Sequence, residues 1–468
     1  MNAAGKRGLS LIFILLLAGC AASLPKIDGE KLPPTPASFR EGGSFTVAAP
    51  AVAQPRGEWW KAFSDPTLDE LIARADRGNT SIRVATARLT QARAFVRSTD
   101  AARAPQIDAA AGAQRAGGIV NGVGGPARSL FSAGVDLSYE VDLFGRLRQA
   151  SNAARLDAQA SEGLLQSARL LVQAEVAQTY LALRALDRER ALVRSTVGAY
   201  RETLALTERR WRAGDVAELD VTRARTEVAA TESDAIALDR QRAELEHALA
   251  VLVGEPASTF AVDAGEWTTL LPAIPAGVPS TILVRRPDIS AAQNSLLAAQ
   301  TRVGVAKAAW FPSFALTATG GYASTDLSDL FKWSSRAWGI GLLGALPLFD
   351  GGRRNAGIQS AGAEFDIAIE RYREQVLVAF KDVEDQLAAL RLLEEQAEAQ
   401  ERAVTSAARS TALSEVRYRN GYVSQLDLLD AQRSELRNRR QALQVRSAQY
   451  QSTVALVRAL GGSWDKGS

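Results

Sequence analysis

The sequence predicts a mixed α and β membrane protein, with long α-helical hairpins and four transmembrane β-strands per chain, arranged by internal duplication. Three observations carry this. The first is a repeated motif: 211–226 reads WRAGDVAELDVTRART and 418–433 reads YRNGYVSQLDLLDAQR. A constant offset of 207 residues takes Gly214 to Gly421, Asp220 to Asp427, Gly254 to Gly461, Pro105 to Pro312 and Ile82 to Ile289. One register therefore spans most of the chain, as in a duplicated fold. The second is the long Ala/Leu/Arg/Gln/Glu-rich helical sequence on either side of each motif glycine, and the third is a switch to apolar/polar alternation ahead of each long helix.

Composition narrows the class. Aromatic residues make up 6% of the 468-residue chain and alanine is abundant, which favours close helix-on-helix packing over a bulky globular core. Lys6 and Arg7 precede an apolar run, Leu9 to Leu17, too short to span a bilayer, and Leu17-Ala18-Gly19-Cys20 ends it. Small residues before a lone cysteine resemble the bacterial lipobox, in which the thiol is acylated and becomes the mature N-terminus; Ala21 after it implies sorting to the outer membrane. The alternative is a free thiol in an uncleaved anchor. With one cysteine in the chain, no intrachain disulfide can form. Loss of Lys6 and Arg7 lowers the formal charge from +3 to about +1, so nothing argues for a nucleic-acid partner.

The elements follow in order. Prolines 33, 34 and 36 mark an extended tether. Asp65-Pro66 is an N-cap and first turn for a short helix to about Arg77; Gly78-Asn79 breaks it; Thr80 or Ser81 caps a helix running to about Ala104, before Pro105. In 132–143, Val135, Leu137, Tyr139 and Val141 alternate with Asp136, Ser138, Glu140 and Asp142, giving a strand with one apolar and one acidic face. A half-buried strand of a soluble protein has the same pattern. Its partner is 106–121, joined through the Gly-rich 122–126. In the second copy Phe314, Leu316, Ala318 and Tyr322 share one face, as do Trp338, Ile340, Leu342, Leu346 and Leu348. Strands of roughly 10–15 residues suit a tilted transmembrane crossing. Four cannot close a barrel, and lipid does not tolerate a bare edge, so the missing strands must come from other chains.

After each hairpin comes Leu-Phe, then glycine and arginine, and then a helix of about 65 residues, roughly 100 Å at ~1.5 Å per residue. Phe365, Ile369, Tyr372, Val376, Ala379, Val383, Leu387 and Leu390 form its heptad-like seam. A left-handed glycine at Gly214 and Gly421 would turn the chain into a return helix of about 35 residues. The expected division is a signal peptide (1–19), a lipid-anchored tether (20–64), a first repeat (65–260), a linker (261–287), a second repeat (288–461) and a tail (462–468). Within the repeats the hairpins are expected at 106–143 and 312–349, the long helices at 146–213 and 353–420, and the return helices at 216–253 and 424–460. The Pro-rich linker would form an equatorial belt.

No catalytic constellation is present. The single histidine, His247, lies on a helix among ordinary surface acids, no Walker-type loop occurs, and Met1 is the only methionine, so no soft-metal cluster can be built. The remaining candidates are at the tips. Asp430 and Arg433 are three apart on one helix, with Leu426 one turn earlier; this is either an exposed ion pair or, in a helical tube, an apolar collar with a carboxylate ring.

With the lipobox, the four strands, the paired hairpins, the LFDGGRR turn and the final Leu460-Gly461-Gly462-Ser463-Trp464, the mature chain resembles the TolC-like outer-membrane factors, specifically the OprM-type efflux lipoproteins. The resemblance implies a homotrimer in which three sets of four strands make a 12-stranded outer-membrane β-barrel and three sets of helices a periplasmic α-barrel. It also implies a covalent lipid on Cys20 and no other cofactor, a periplasmic adaptor, and an inner-membrane pump of the resistance-nodulation-division type. Carried over onto this sequence, the periplasmic gate falls on Leu426, Asp430 and Arg433. The adaptor-contacting tips fall on Gly214, Asp215, Val216 and Ala217 and on Gly421, Tyr422, Val423 and Ser424. The expected function is a passive exit duct for efflux, with no enzymatic activity. The rival readings are a duct for type I protein secretion or metal-ion export, or a non-conducting envelope scaffold.

Overall fold

The structure, a computed structural model, describes residues 24–27, 32–42, 57–120, 123–265, 267–272 and 285–462. The expected signal peptide, Cys20, much of the tether, the centre of the linker and nearly all of the tail lie outside the described residues. The main elements are α1 (Pro66–Gly78), α2 (Thr80–Ala101), β1 (Gln106–Val120), β2 (Val123–Val141), α3 (Arg146–Arg212), α4 (Glu218–Val253), α5 (Pro287–Ala308), β3 (Ser313–Ser324), β4 (Arg336–Ala345), α6 (Arg353–Arg419) and α7 (Gln425–Ala459). They form two compact units that cut across the sequence repeats, each drawing on both copies. One contains Ala87–Glu162 and Ala291–Glu374; the other contains Gly163–Ser290 and Gln375–Ser468.

Local chemistry sets the helix ends. Asp65 caps α1, its carboxylate accepting from the backbone N–H of Thr67 at 3.0 Å and of Leu68 at 3.3 Å. The cap of α2 is Asn79, not Thr80 or Ser81: its Oδ1 accepts from the N–H of Ser81 and Ile82, while its Nδ2 donates to Leu252 O on α4. One amide thus serves the cap and the neighbouring helix together, its oxygen accepting and its nitrogen donating. The last turn before Pro105 tightens, so α2 ends at Ala101; Arg103 and Ala104 bond three residues back. The turn before Pro312 does the same after α5, through Trp310 and Phe311.

Burial follows the seam. Phe365, Ile369, Val376, Ala379, Val383 and Leu387 on α6 are all buried. Phe365 and Ile369 pack on Leu296, Ala299 and Val303 of α5. In the other unit Leu186 and Val193 of α3 pack with Leu238 of α4, and Leu436 of α7 joins them. Helices α1 and α4 approach so closely that a Cβ on Gly78 would lie 2.1 Å from Val253 O, and one on Gly254 2.3 Å from Gly78 O. Asp187 sits buried between α3 and α4, bonded by Arg190 at 3.1 Å and Arg242 at 2.8 Å, and Arg242 and Arg184 reach on to the carbonyls of Val262 and Asp263. Charges buried this deeply persist only when paired.

The strands form one antiparallel sheet in the order β1-β2-β3-β4. The registers Ile107↔Leu137, Leu137↔Ala318 and Ala318↔Ile340 place four apolar residues in one row. The rows Ala109–Val135–Gly320–Trp338 and Tyr139–Leu316–Leu342 lie on the same side. This side is open, with Ile107 67%, Ile340 75% and Trp338 79% exposed. The opposite side carries Asp108, Asp136, Ser138, Glu140, Thr317 and Thr319. Two details depart from expectation. Residues 123–126, expected in the connector, belong to β2, which starts at Val123, and the register shift between Ala116 and Gly118 sets two residues, Pro126 and Ala127, against one. Proline lacks the ladder donor, so a bulge is where the pairing can accommodate it. Strand β4 ends at Ala345, short of Leu346 and Leu348, because Pro347 cannot continue it.

Candidate functional site

The candidate tips are built from a shared turn. Gly214 and Gly421 have φ of 81° and 75°, in the left-handed region that glycine enters without strain. A Cβ at either would meet nothing within 4 Å, so the demand for glycine is conformational, not steric. Their N–H groups bond to Trp211 O and Tyr418 O, and those of Asp215 and Tyr422 reach back to Arg210 O and Arg417 O, closing the helix ends. The return helices start differently. Ser424 forms a capping box with Asp427, and Ala217 has no side-chain cap. Gly214, Asp215, Ala217, Gly421, Tyr422 and Ser424 are exposed, and Val216 and Val423 are half-buried.

The second tip is tied to the first hairpin through Tyr418. Its ring is buried under the Arg210 guanidinium at 5.1 Å, and its hydroxyl lies 3.0 Å from Thr207 Oγ1. Sequence reading took Tyr418 as a motif aromatic and missed this link, since Thr207 and Arg210 belong to the other copy.

The candidate gate residues lie together on α7, and one of them has a partner that the sequence reading did not find. Leu426 is exposed on α7, one turn before Asp430. Arg433 Nη1 is 3.7 Å from Asp430 Oδ1, too long for a hydrogen bond. Its Nε donates instead to Glu227 Oε2 on α4 at 2.7 Å, and Nη2 contacts the same oxygen. The bond to Glu227 holds the Arg433 pKa up. Glu227 is well shielded and Asp430 largely exposed. Next to this pair, the buried Tyr200 hydroxyl has no hydrogen-bond partner among the described residues. Burial first, then the Glu227 charge, pushes its pKa up to about 12. Glu227 neighbours Thr226, the repeat counterpart of Arg433, and that adjacency was the one signal in the sequence that could have found it. What this arrangement can do is join two return helices at one charged point; it holds no nucleophile or general base poised for chemistry.

Comparison with known proteins shows the family. The family model described as "Outer membrane efflux protein" matches residues 71–255 and again 278–462, repeating the offset between the two copies. The chain is 32% identical to the toluene efflux pump outer membrane protein TtgI of Pseudomonas putida, covering 98% of each. It is 32% identical to the cation efflux system protein CusC of Escherichia coli K12, over 96% of this chain and 97% of CusC. The solved outer-membrane channel OprN superposes with a TM-score of 0.88 at 30% identity, over 95% of this chain and 100% of OprN. A protein whose four strands present a bare apolar face and whose duplicated helices end in paired glycine tips, matched end to end in this way, is an outer-membrane protein and belongs to the outer membrane efflux protein family.

Proposed function

We propose that three copies of this chain close one another's strand edges and form a passive exit duct, through which small molecules delivered by a periplasmic adaptor and an inner-membrane pump of the resistance-nodulation-division type leave the cell. The observation that carries this reading is the sheet. Strands β1 and β4 are both edges, one side is apolar and exposed, and the other bears acids and hydroxyls. Such a sheet is stable in lipid only when its edges are paired. Cys20 carries the lipid anchor. The exposed tips at 214–217 and 421–424 dock the adaptor, and Leu426, Asp430 and Arg433 restrict the periplasmic entrance. The chain does no chemistry of its own, and His247 lies exposed on α4.

A second reading, metal-ion export, is favoured by the match to CusC, which is as similar as TtgI. Against a selective metal path in the duct stand one histidine and no methionine beyond Met1. Cargo is then chosen by the pump. The purified protein, reconstituted in planar bilayers, should conduct as a trimer, and a non-conducting or monomeric species would overturn the reading. Charged residues at Ala217 and Ser424 should abolish efflux while the trimer persists; full resistance in that mutant would remove the tips from the docking site.

A further inference from the structure

One side of the sheet carries only two charges along its strands, and both are arginines near the same end. Arg115 stands opposite Ser129, and Arg336 opposite Tyr322. Between them and the helix-joined end, this side reads Ile107, Ala109, Val135, Leu137, Tyr139, Leu316, Ala318, Trp338, Ile340 and Leu342. The arginine end is the one away from the helices, because α2, α3, α5 and α6 all join the strands at the opposite end.

The β3–β4 connection at this end is built rather than slack. The 3-10 turns Leu327–Asp329 and Trp333–Ser335 are held by Lys332 N–H to Asp329 O at 3.1 Å and by Ser335 Oγ to Asp329 O at 2.7 Å. Phe331 meets the Tyr322 ring edge-on at 5.7 Å. Arg336 lies over Trp333, 3.2 Å from the ring centroid, and its Nε donates to Trp333 O at 2.9 Å. Among the described residues Arg336 has no carboxylate partner, and the loop's Asp329 is taken by Lys332 at 2.6 Å. Phe331 and Trp333 are 72% and 73% exposed.

Exposed aromatics beside an apolar band sit at headgroup level in a membrane. A guanidinium fixed there, with one face covered by an indole and, among the described residues, no hydrogen-bond partner for its terminal nitrogens, is open to an anion, and its planar fork fits phosphate oxygens. We propose that Arg336, held on Trp333, binds the phosphate of a phosphorylated lipid headgroup in the outer leaflet, with the acyl chains lying along Trp338, Ile340 and Leu342. The apolar rows continuing directly below the cation favour a lipid over a free anion, because only a lipid satisfies both.

The test uses the intact protein in detergent, titrated with a bis-phosphorylated lipid A and with the same lipid dephosphorylated, binding being read by native mass spectrometry. Wild type should prefer the phosphorylated lipid by at least about fivefold, as a charge-assisted bidentate contact implies. Arg336→Gln should erase that preference, and Arg336→Lys should keep part of it. Bilayer conductance of each variant would show that it is folded. Equal binding of both lipids by wild type, an unchanged preference in Arg336→Gln, or displacement by inorganic phosphate at concentrations comparable to the lipid would each overturn the proposal.

Discussion

Arg433 carries the residue-scale lesson. Sequence spacing pairs it with Asp430, three positions earlier on one helix; the fold keeps that ion pair at 3.7 Å and adds a hydrogen bond to Glu227, in the other repeat. Arg433→Gln should therefore loosen the link between α4 and α7 and make cells more permeable to bulky antibiotics than Asp430→Asn does. Uptake assays at matched expression would check the order, and equal effects would show that the α4 contact is not what holds the entrance. Tyr200→Phe removes a buried hydroxyl that has no partner among the described residues, so stability should stay level or rise by up to ~1 kcal/mol. Asp239 offers a pH test. Bonds from Arg190, then Arg194, hold its carboxyl below the usual carboxylate range against the cost of desolvation. A depressed folded-state pKa stabilises above the unfolded value, ~3.9, and that contribution is lost as pH falls through the lower folded value. Asp239→Asn should lower Tm near neutral pH, and the gap to wild type should close in strong acid. A gap independent of pH would mean that packing, not charge, is at work.

Among the elements, the sheet was the most legible, because alternation with period two survives as two faces once the register is set. The residues read as apolar in 135–141 and 314–342 do share one side, and Asp136 and Glu140 share the other, while Asp142 lies past the end of β2 and accepts from the N–H of Leu147 and Arg148. The sequence could not show that residues 123–126 belong to β2, since that depends on a bulge opposite Gly117. The two sides predict opposite tolerances. Ile340→Arg, in the lipid-facing row, should cost ~2–4 kcal/mol and reduce assembly in the outer membrane. Thr319→Asp, on the other side, should assemble normally. Equal yields of both in membrane fractions would refute the assignment of faces. Helix ends were legible where a capping side chain is local, as at Asp65. They were misread where the capping residue also serves another helix, as at Asn79.

For the whole molecule, the repeat itself points to the contact between copies. Within the chain, the turn after β2 stacks Phe144 on Phe311 at 4.7 Å. The corresponding turn after β4 leaves Leu348 and Phe349 almost fully exposed, and Ala104, the counterpart of Phe311, is exposed as well. If copies close the sheet, Phe349 of one should meet Ala104 of the next. Cysteines placed at those two positions should cross-link dimers and trimers under oxidation. A ladder absent here but present for a cysteine pair on β1 and β4 would keep the trimer and refute this contact.

By itself the sequence determined the duplication, the period of each element and the glycines that turn the chain, because periodicity and left-handed backbone are local properties. Which charges meet, which small residues permit close approach at Gly78 and Gly254, and which aromatics stay bare were decided only in three dimensions. Those contacts join residues far apart in the chain, and their energies depend on burial and distance that no spacing along one strand or helix encodes.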